Sequence, residues 1–251
     1  MPLPGNAGAS AAGAGYLQVI TDTTVPEGSG YRGEFGYAVL VVMDGRRLLF
    51  DTGVTGEVLE HNLRQAGVGA AELDAVVLSH NHPDHVGGLS HLRRAAPQVP
   101  GLAPPGQYVD EGAVQRVENL RRLSENLYVL RTHTDEPTAG IADELSLIAV
   151  TAQGPYLVTG CSHTGLGRIV EAAARLTGQD VYFHTGGARL KFRERRDAAL
   201  IARRLEELGV RRISPGHCSV DHAVSRTLRE NFSGETVPSV VGRRVPLPAA
   251  K

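Results

Sequence analysis

Along the chain, short apolar runs alternate with segments whose apolar positions recur at helical spacing. Residues 35–43 and 48–50 read as strands around a turn at Asp44-Gly45. Leu59, Leu63 and Ala66 share one face of a helix predicted over 56–66. Residues 75–78 form a buried strand, and 86–96 a helix closed by Pro97. A strand is predicted at 127–131, then a hairpin of 145–150 and 156–158 turning over Ala152-Gln153-Gly154. Leu166, Ile169, Val170, Ala173 and Leu176 make a helical stripe. After a strand at 181–183, Leu200, Ile201, Leu205 and Leu208 mark another helix. A strand at 212–214 leads into a helix through Val220, Val224 and Leu228, and closing strands are predicted near 240–241 and 245–247. Strands precede and flank helices in both halves, so a layered α/β domain is expected. Residues 97–126 are Pro-rich and weakly patterned, which predicts a loop or a cover over a site. Residues 1–15, rich in Gly and Ala and uncharged, read as a disordered N-terminal arm without the pattern of a secretory signal. Residues 16–251 are then expected to form a single domain.

Composition narrows the function. Lys plus Arg is 26 and Asp plus Glu is 27, a net charge of −1. That balance argues against nucleic acid or an anionic membrane as a partner, since both select a basic excess. The apolar run at 37–43 is too short to cross a bilayer. Two cysteines exclude a disulfide scaffold and fit a reducing compartment, so a cytoplasmic location and a small-molecule substrate are expected. Nothing in the sequence reports the oligomeric state. The unusual count is ten histidines in a chain with no tryptophan.

The histidines cluster. Ser79-His80-Asn81-His82-Pro83-Asp84-His85-Val86-Gly87-Gly88 follows a buried strand and opens a helix. Three imidazoles and a carboxylate at this spacing suit a borderline-soft divalent cation. On an extended loop, His80 and His82 point the same way and can grip one metal. Asp84 and His85 then turn towards a second, about 3.5–4 Å from the first. Gly87-Gly88 lets the backbone pass close to the site. Downstream, Gly160-Cys161-Ser162-His163 and Pro215-Gly216-His217-Cys218 both lie at strand-to-helix junctions, so His163 and His217 are candidate ligands.

The pattern His-x-His-x-Asp-His, with Phe50-Asp51-Thr52-Gly53 upstream, resembles the metallo-β-lactamase superfamily. The Gly-Cys-Ser-His and late Gly-His-Cys stretches look like its dihydropterin-ribofuranosylaminobenzene-phosphate synthase-like branch. The resemblance runs from about residue 17 to 248 and includes 34–37 and 241–245. It implies a four-layer αββα sandwich with two divalent metal ions. It carries over His80, His82, Asp84, His85, His163 and His217 as metal-site residues. Asp51 would orient a ligand histidine through its other ring nitrogen. Two assignments of the third histidine compete: His163, or His133 together with Cys161. The Gly-Cys-Ser-His match favours His163. Where the branch usually reads Gly-Gly-Phe-His-Leu, this chain has Gly186-Gly187-Ala188-Arg189-Leu190, with His184 just before it. The pterin substrate is therefore not carried over. Arg189 heads a basic run to Arg196 that reads as a solvated face, with Arg189 meeting a substrate phosphate or carboxylate as the minority reading. His184 is divided between pocket and core. His91 is placed on a helix face, and His61 and His222 at the surface.

Two such cations would lower the pKa of a shared water towards about 7, giving hydroxide without a side-chain nucleophile. Asp84 would orient it as well as ligate. The expected activity is a dinuclear metal-dependent hydrolase acting on a small phosphoester or ester. A synthase-type enzyme and a non-catalytic metal-binding protein are the alternatives. His82 keeps the hydrolase pattern and favours zinc, with iron or manganese left open. Residues 97–142 and 184–196 are expected to shape the pocket.

Overall fold

The computed structural model describes residues 15–106, 114–190, 194–217 and 222–250. The apolar run at 75–78 is continuous because both faces of its strand are covered. Ala75 and Val77 point to the core between two sheets, while Val76 and Leu78 point to a helical layer outside. The same period-two division sorts Val39 and Val41 inward from Ala38 and Leu40 outward.

The first sheet is built from β1 (Gly15–Thr21), β2 (Ala38–Met43), β3 (Arg46–Phe50), β4 (Ala75–Val77), β5 (Gly101–Ala103), β6 (Val114–Arg116) and, at its opposite edge, β14 (Arg244–Leu247). Its order is β14-β1-β2-β3-β4-β5-β6. The second holds β7 (Leu120–Arg122), β8 (Leu127–Thr138), β9 (Ile141–Thr151), β10 (Gly154–Thr159), β11 (Phe183–Gly186), β12 (Arg212–Pro215) and β13 (Glu235–Thr236). Its order is β13-β12-β11-β10-β9-β8-β7. Each sheet pairs antiparallel strands on one side with parallel strands on the other. Outside the first sheet lie α1 (Gly56–Gln65), the short α2 (Pro83–Val86) and α3 (Leu89–Ala95). Outside the second lie α4 (Leu166–Thr177), α5 (Arg195–Glu207) and α6 (His222–Asn231). Leu59, Leu63 and Leu92 pack α1 and α3 on one sheet, while Ile169, Leu205 and Leu228 pack α4 to α6 on the other. The architecture is the expected α/β four-layer αββα sandwich. Among the described residues, no helix is long and apolar enough to cross a membrane.

Several boundaries differ from the sequence expectation. The helix expected at 86–96 is broken into α2 and α3. A Cβ on Gly87 would lie 2.1 Å from Val54 O and one on Gly88 2.3 Å from Thr52 O, so this backbone is pressed onto the β3–α1 loop. The strand expected from 35 starts at Ala38, because 35–37 bend over the site. The strand at 127–131 runs on to Thr138, where β8 and β9 extend together to a tip at Ala139-Gly140. The strand placed at 181–183 is shifted onward to β11. Residues 240–241 are not a strand: Val241 is fully buried in a turn whose N–H groups reach Thr24 O and Val19 O. In 97–126 the described residues supply β5, paired between β4 and β6, and the edge strands β6 and β7 rather than a cover, and 107–113 lie outside the described residues. The prolines of this stretch, Pro97, Pro100, Pro104 and Pro105, lie in the turns on either side of β5. Of the expected arm, 1–14 lie outside the described residues, and Gly15 opens β1.

At the end of the sandwich where β2 turns into β3, the Asp44 carboxylate ties the sheets together. It accepts from Ser124 Oγ (2.8 Å) and Asn126 N (2.9 Å) of the β7–β8 turn. Phe50, fully buried between the sheets, anchors the other end of β3. Phe50→Ala should lower stability by about 3–5 kcal/mol through lost burial and a residual cavity, read as a reduced urea midpoint at unchanged slope.

Candidate metal centre

The parallel strands of both sheets end on the same side of the sandwich, where the loops that follow them meet. β3 delivers Asp51, β4 delivers Ser79 and His80, β10 delivers Cys161 and His163, and β12 delivers His217. Asp51 (φ 58°), Ser162 (φ 60°), Arg189 (φ 50°) and His217 (φ 50°) all have left-handed backbone. Non-glycine residues adopt it at a cost of about 1–3 kcal/mol, which the surrounding structure must impose.

Asp51, with no solvent exposure, is the hub. Ser79 N donates to Asp51 Oδ1 (2.7 Å) and Ser79 Oγ to Oδ2 (2.8 Å). His85 Nδ1 donates to the same Oδ2 (2.6 Å). Ser79 has given its one proton, so its oxygen accepts from His80 Nδ1 (2.8 Å). His82 Nε2 donates to Ala139 O (3.1 Å) at the β8–β9 tip, and His163 Nδ1 to Thr138 O (3.0 Å). Each of these four rings thus commits one N–H to an oxygen outside the cluster and aims its other nitrogen inward.

The inward atoms converge. His80 Nε2 lies 3.0 Å from His82 Nδ1, and His85 Nε2 lies 3.0 Å from His217 Nε2 and 3.2 Å from Cys161 Sγ. Asp84 Oδ2 lies 3.0 Å from His217 Nε2 and 3.9 Å from His85 Nε2. Three groups each bring their ligand atoms within 4.8 Å of one another: His80, His82 and His163; His80, His85 and Cys161; and Asp84, His85 and His217. His163 Nε2 is buried with no hydrogen-bond partner. Neutral imidazoles presenting lone pairs to one another repel, so a cation among them resolves the arrangement. The donor set fits the divalent metals that the residue pattern predicts.

Electrostatics agree. Burial first, then the neighbouring His85, holds the His80 pKa well below its usual value. Burial also lowers His85, against the opposing pull of Asp51. Burial and then the Arg189 guanidinium bring His163 down to about 3. These rings are neutral at physiological pH, the form that ligates metal. Burial would raise the Asp84 carboxyl, but contact with His217 and His85 holds it below the ordinary carboxylate range.

Other predicted positions fall elsewhere. His133 is exposed and bonds Asp143 (2.9 Å) and Asp135 (3.3 Å), which raises its pKa, and it joins none of the three groups. His163, the favoured third histidine, groups with His80 and His82, while Cys161 groups with His80 and His85 without His133. His184 is buried behind the site with Nε2 2.9 Å from Thr159 Oγ1. His91 faces α1, with Nε2 2.7 Å from Glu60. His61 reaches Gly30 O (2.7 Å). Cys218, Lys191, Arg193, Val220 and the side chain of His222 lie outside the described residues. Arg195 and Arg196 are exposed, whereas Arg189 turns inward against Thr138 and His163.

Three supporting residues escaped the sequence reading. Glu144 is buried, accepts from Thr164 N (2.7 Å), and stands 3.9 Å from His80 Nδ1 with its pKa raised by burial to about 7. Its signal was the strand period: Glu144 and Ser146 share the covered face of Ile148, opposite Leu145 and Leu147. Asp22 accepts from His217 N (3.2 Å) and Ser239 Oγ (2.7 Å), and no pattern around it announces this. Phe35 lays its ring 5.1 Å from that of His217.

A family model for the metallo-beta-lactamase superfamily matches residues 31–217. The 7,8-dihydropterin-6-methyl-4-(beta-D-ribofuranosyl)-aminobenzene-5'-phosphate synthase of Methanocaldococcus jannaschii is 26% identical over 78% of this chain and 86% of its own. The solved structure of Tm1679, a metal-dependent hydrolase of the beta-lactamase superfamily, aligns with a TM-score of 0.78 at 23% identity, covering 92% of this chain and 98% of that one. A diphosphatase from the PhnP family aligns at 0.57 and 17% identity, over 93% and 97% of the two chains. At these identities the structural matches speak to the fold.

Burial lowers His184 to about 3, so it stays neutral in the fold while the unfolded chain takes up a proton near 6.5. Stability is therefore lost as pH falls from 6.5 towards 3, by up to about 1.4 kcal/mol per pH unit from this group. His184→Gln should flatten that slope relative to the parent chain, measured by urea unfolding between pH 6.5 and 4.5 with chelator present.

Proposed function

The chain belongs to the metallo-beta-lactamase superfamily, and from that premise we propose that it is a dinuclear metal-dependent hydrolase of a small phosphoester or ester. The observation that carries this reading is the inward aim of the imidazole nitrogens of His80, His82, His85 and His163, each fixed by a hydrogen bond on its far side. His80, His82 and His163 would hold one cation, and Asp84, His85 and His217 the other, with Cys161 beside both sets. Imidazoles with a carboxylate and a thiol form a borderline donor set, which favours zinc, and iron or manganese are the other candidates. When bound, the metals supply Lewis-acid polarisation and a more acidic water.

The chain's own groups do the rest. Asp84 reaches the cluster with a side chain 22% exposed, so it meets both the histidines and incoming solvent. Ionised, it accepts a hydrogen bond from the attacking water and aligns it, without retaining the proton. Asp51 and Ser79 keep His85 and His80 in one tautomer and orientation. Phe35 and the β8–β9 tip wall the opening and limit the water that reaches it.

A second reading, a synthase-type reaction, draws on the Methanocaldococcus jannaschii relative. Against it stands Arg189 in Gly-Gly-Ala-Arg-Leu, which alters the pocket wall.

Purified protein should hold close to two divalent metals per chain by elemental analysis. His82→Ala should lose at least one of them and reduce hydrolysis by 100-fold or more, while its unfolding in chelator stays close to that of the parent. A full metal complement with no turnover of aryl phosphodiesters, lactones and esters would shift the assignment to the synthase reading.

A further inference from the structure

Beside His163, a cavity of about 310 Å³ opens between α4, α5 and the segment after β11. Its walls are unequal in chemistry. Leu166, Ala188, Leu200 and Ile201 form an apolar side, with Leu200 60% exposed at its rim. Arg189 and Arg204 supply the cationic groups, and Asp197, which accepts from Glu194 N (3.2 Å) at the start of α5, is the acidic one. Arg204 is already engaged, paired with Glu171 and Glu207. Arg189 is not: among the described residues it has no carboxylate partner.

Arg189 Nη1 touches Thr138 Oγ1 and His163 Nδ1. In the tautomer that aims Nε2 at the cluster, His163 Nδ1 is itself a donor, to Thr138 O. The guanidinium carries five donors and no acceptor capacity. Among the described residues, the Thr138 hydroxyl is the one side-chain acceptor it finds. A planar, permanently charged fork left with donors to spare is matched by a carboxylate or a phosphate, which accept in pairs. The backbone is arranged to present it. Arg189 sits at φ 50°, held between buried Ala188 and Leu190. Gly187 beside it is clamped by Gly187 N donating to Gly160 O (2.8 Å) and Ser162 Oγ donating to Gly187 O (2.7 Å).

We propose that Arg189 is a specificity-determining residue that binds a fixed anion, carboxylate or phosphate, on a substrate whose apolar group packs against Leu166, Leu200 and Ile201. In taking the ligand to be the substrate, this rests on the hydrolase reading. An anion held at Arg189 stands one imidazole ring away from the cluster. The charge therefore lies close to the bond that reacts, and the apolar group extends away from it along α5.

The test is a binding comparison on the purified, metal-containing full chain, by calorimetry. The probes are hexanoate, hexyl phosphate and hexanol, with methyl phosphate as the short control. At least one hexyl anion should bind tenfold or more tightly than hexanol, and which one it is distinguishes carboxylate from phosphate. Arg189→Gln should reduce that ratio at least tenfold, and Arg189→Lys should retain part of it. Leu200→Ser, at an exposed position that leaves folding intact, should remove the gain from methyl to hexyl phosphate. An unchanged ratio in Arg189→Gln means that the anion meets the metals alone, and the proposal fails. A ratio that collapses in this variant, with no hydrolysis of any ester, supports the anion pocket and removes the hydrolase reading. Hydrolysis with an unchanged ratio does the reverse.

Discussion

Burying a carboxylate that meets no solvent is the constraint around which this site is arranged. Asp51 can be accommodated only if strong donors saturate it. Those donors are the backbone and hydroxyl of Ser79 and the ring of His85. Satisfying it joins the end of β3, the end of β4 and the start of the helical layer at one point. It also determines the protonation pattern one bond further out, because the Ser79 hydroxyl has no second proton and must accept from His80. Four inward-facing nitrogens follow from hydrogen bonds made on the outside of the cluster. Removing a supporting oxygen therefore disturbs the ligands without touching them.

The groups that converge come from both halves of the molecule. His80, His82, Asp84 and His85 follow the first sheet, and Cys161, His163 and His217 follow the second. In each sheet the strands on one side pair in parallel, and the ligand-bearing loops follow strands of that side. A backbone bond knits the halves there, Leu145 N donating to Ser79 O (2.9 Å). The Tyr37 hydroxyl meets Thr185 Oγ1 (3.2 Å) across the core. The site is thus part of what defines the packing of one half on the other.

Much of this was legible in the residues, and the exceptions are physical. The apolar runs at 35–43 and 145–150 were legible as strands, since a sheet covered on both faces demands apolar residues on both. The His80–His85 spacing is local, so the chain displays it directly. Gly87-Gly88 was legible as a close passage of the backbone but not as a break in the helix, because the carbonyls of Thr52 and Val54 that it meets arrive from more than 30 residues away. Asp22 and Glu144 act through partners distant in sequence, and isolated acidic residues carry no mark of that. His133 looked as suitable as His163 on chain order. What separates them is that β8 runs on past His133, carrying its ring out to Asp143 on the neighbouring strand.

Asp44 has a consequence beyond the turn it occupies. It binds Ser124 and Asn126 at the end of the sandwich remote from the cluster, so the two sheets are pinned where no chemistry takes place. The halves are therefore fastened at both ends, by Asp44 here and by Leu145 N on Ser79 O beside the cluster. The clasp at Asp44 can hold the sheets in register without sharing a single atom with the metal site.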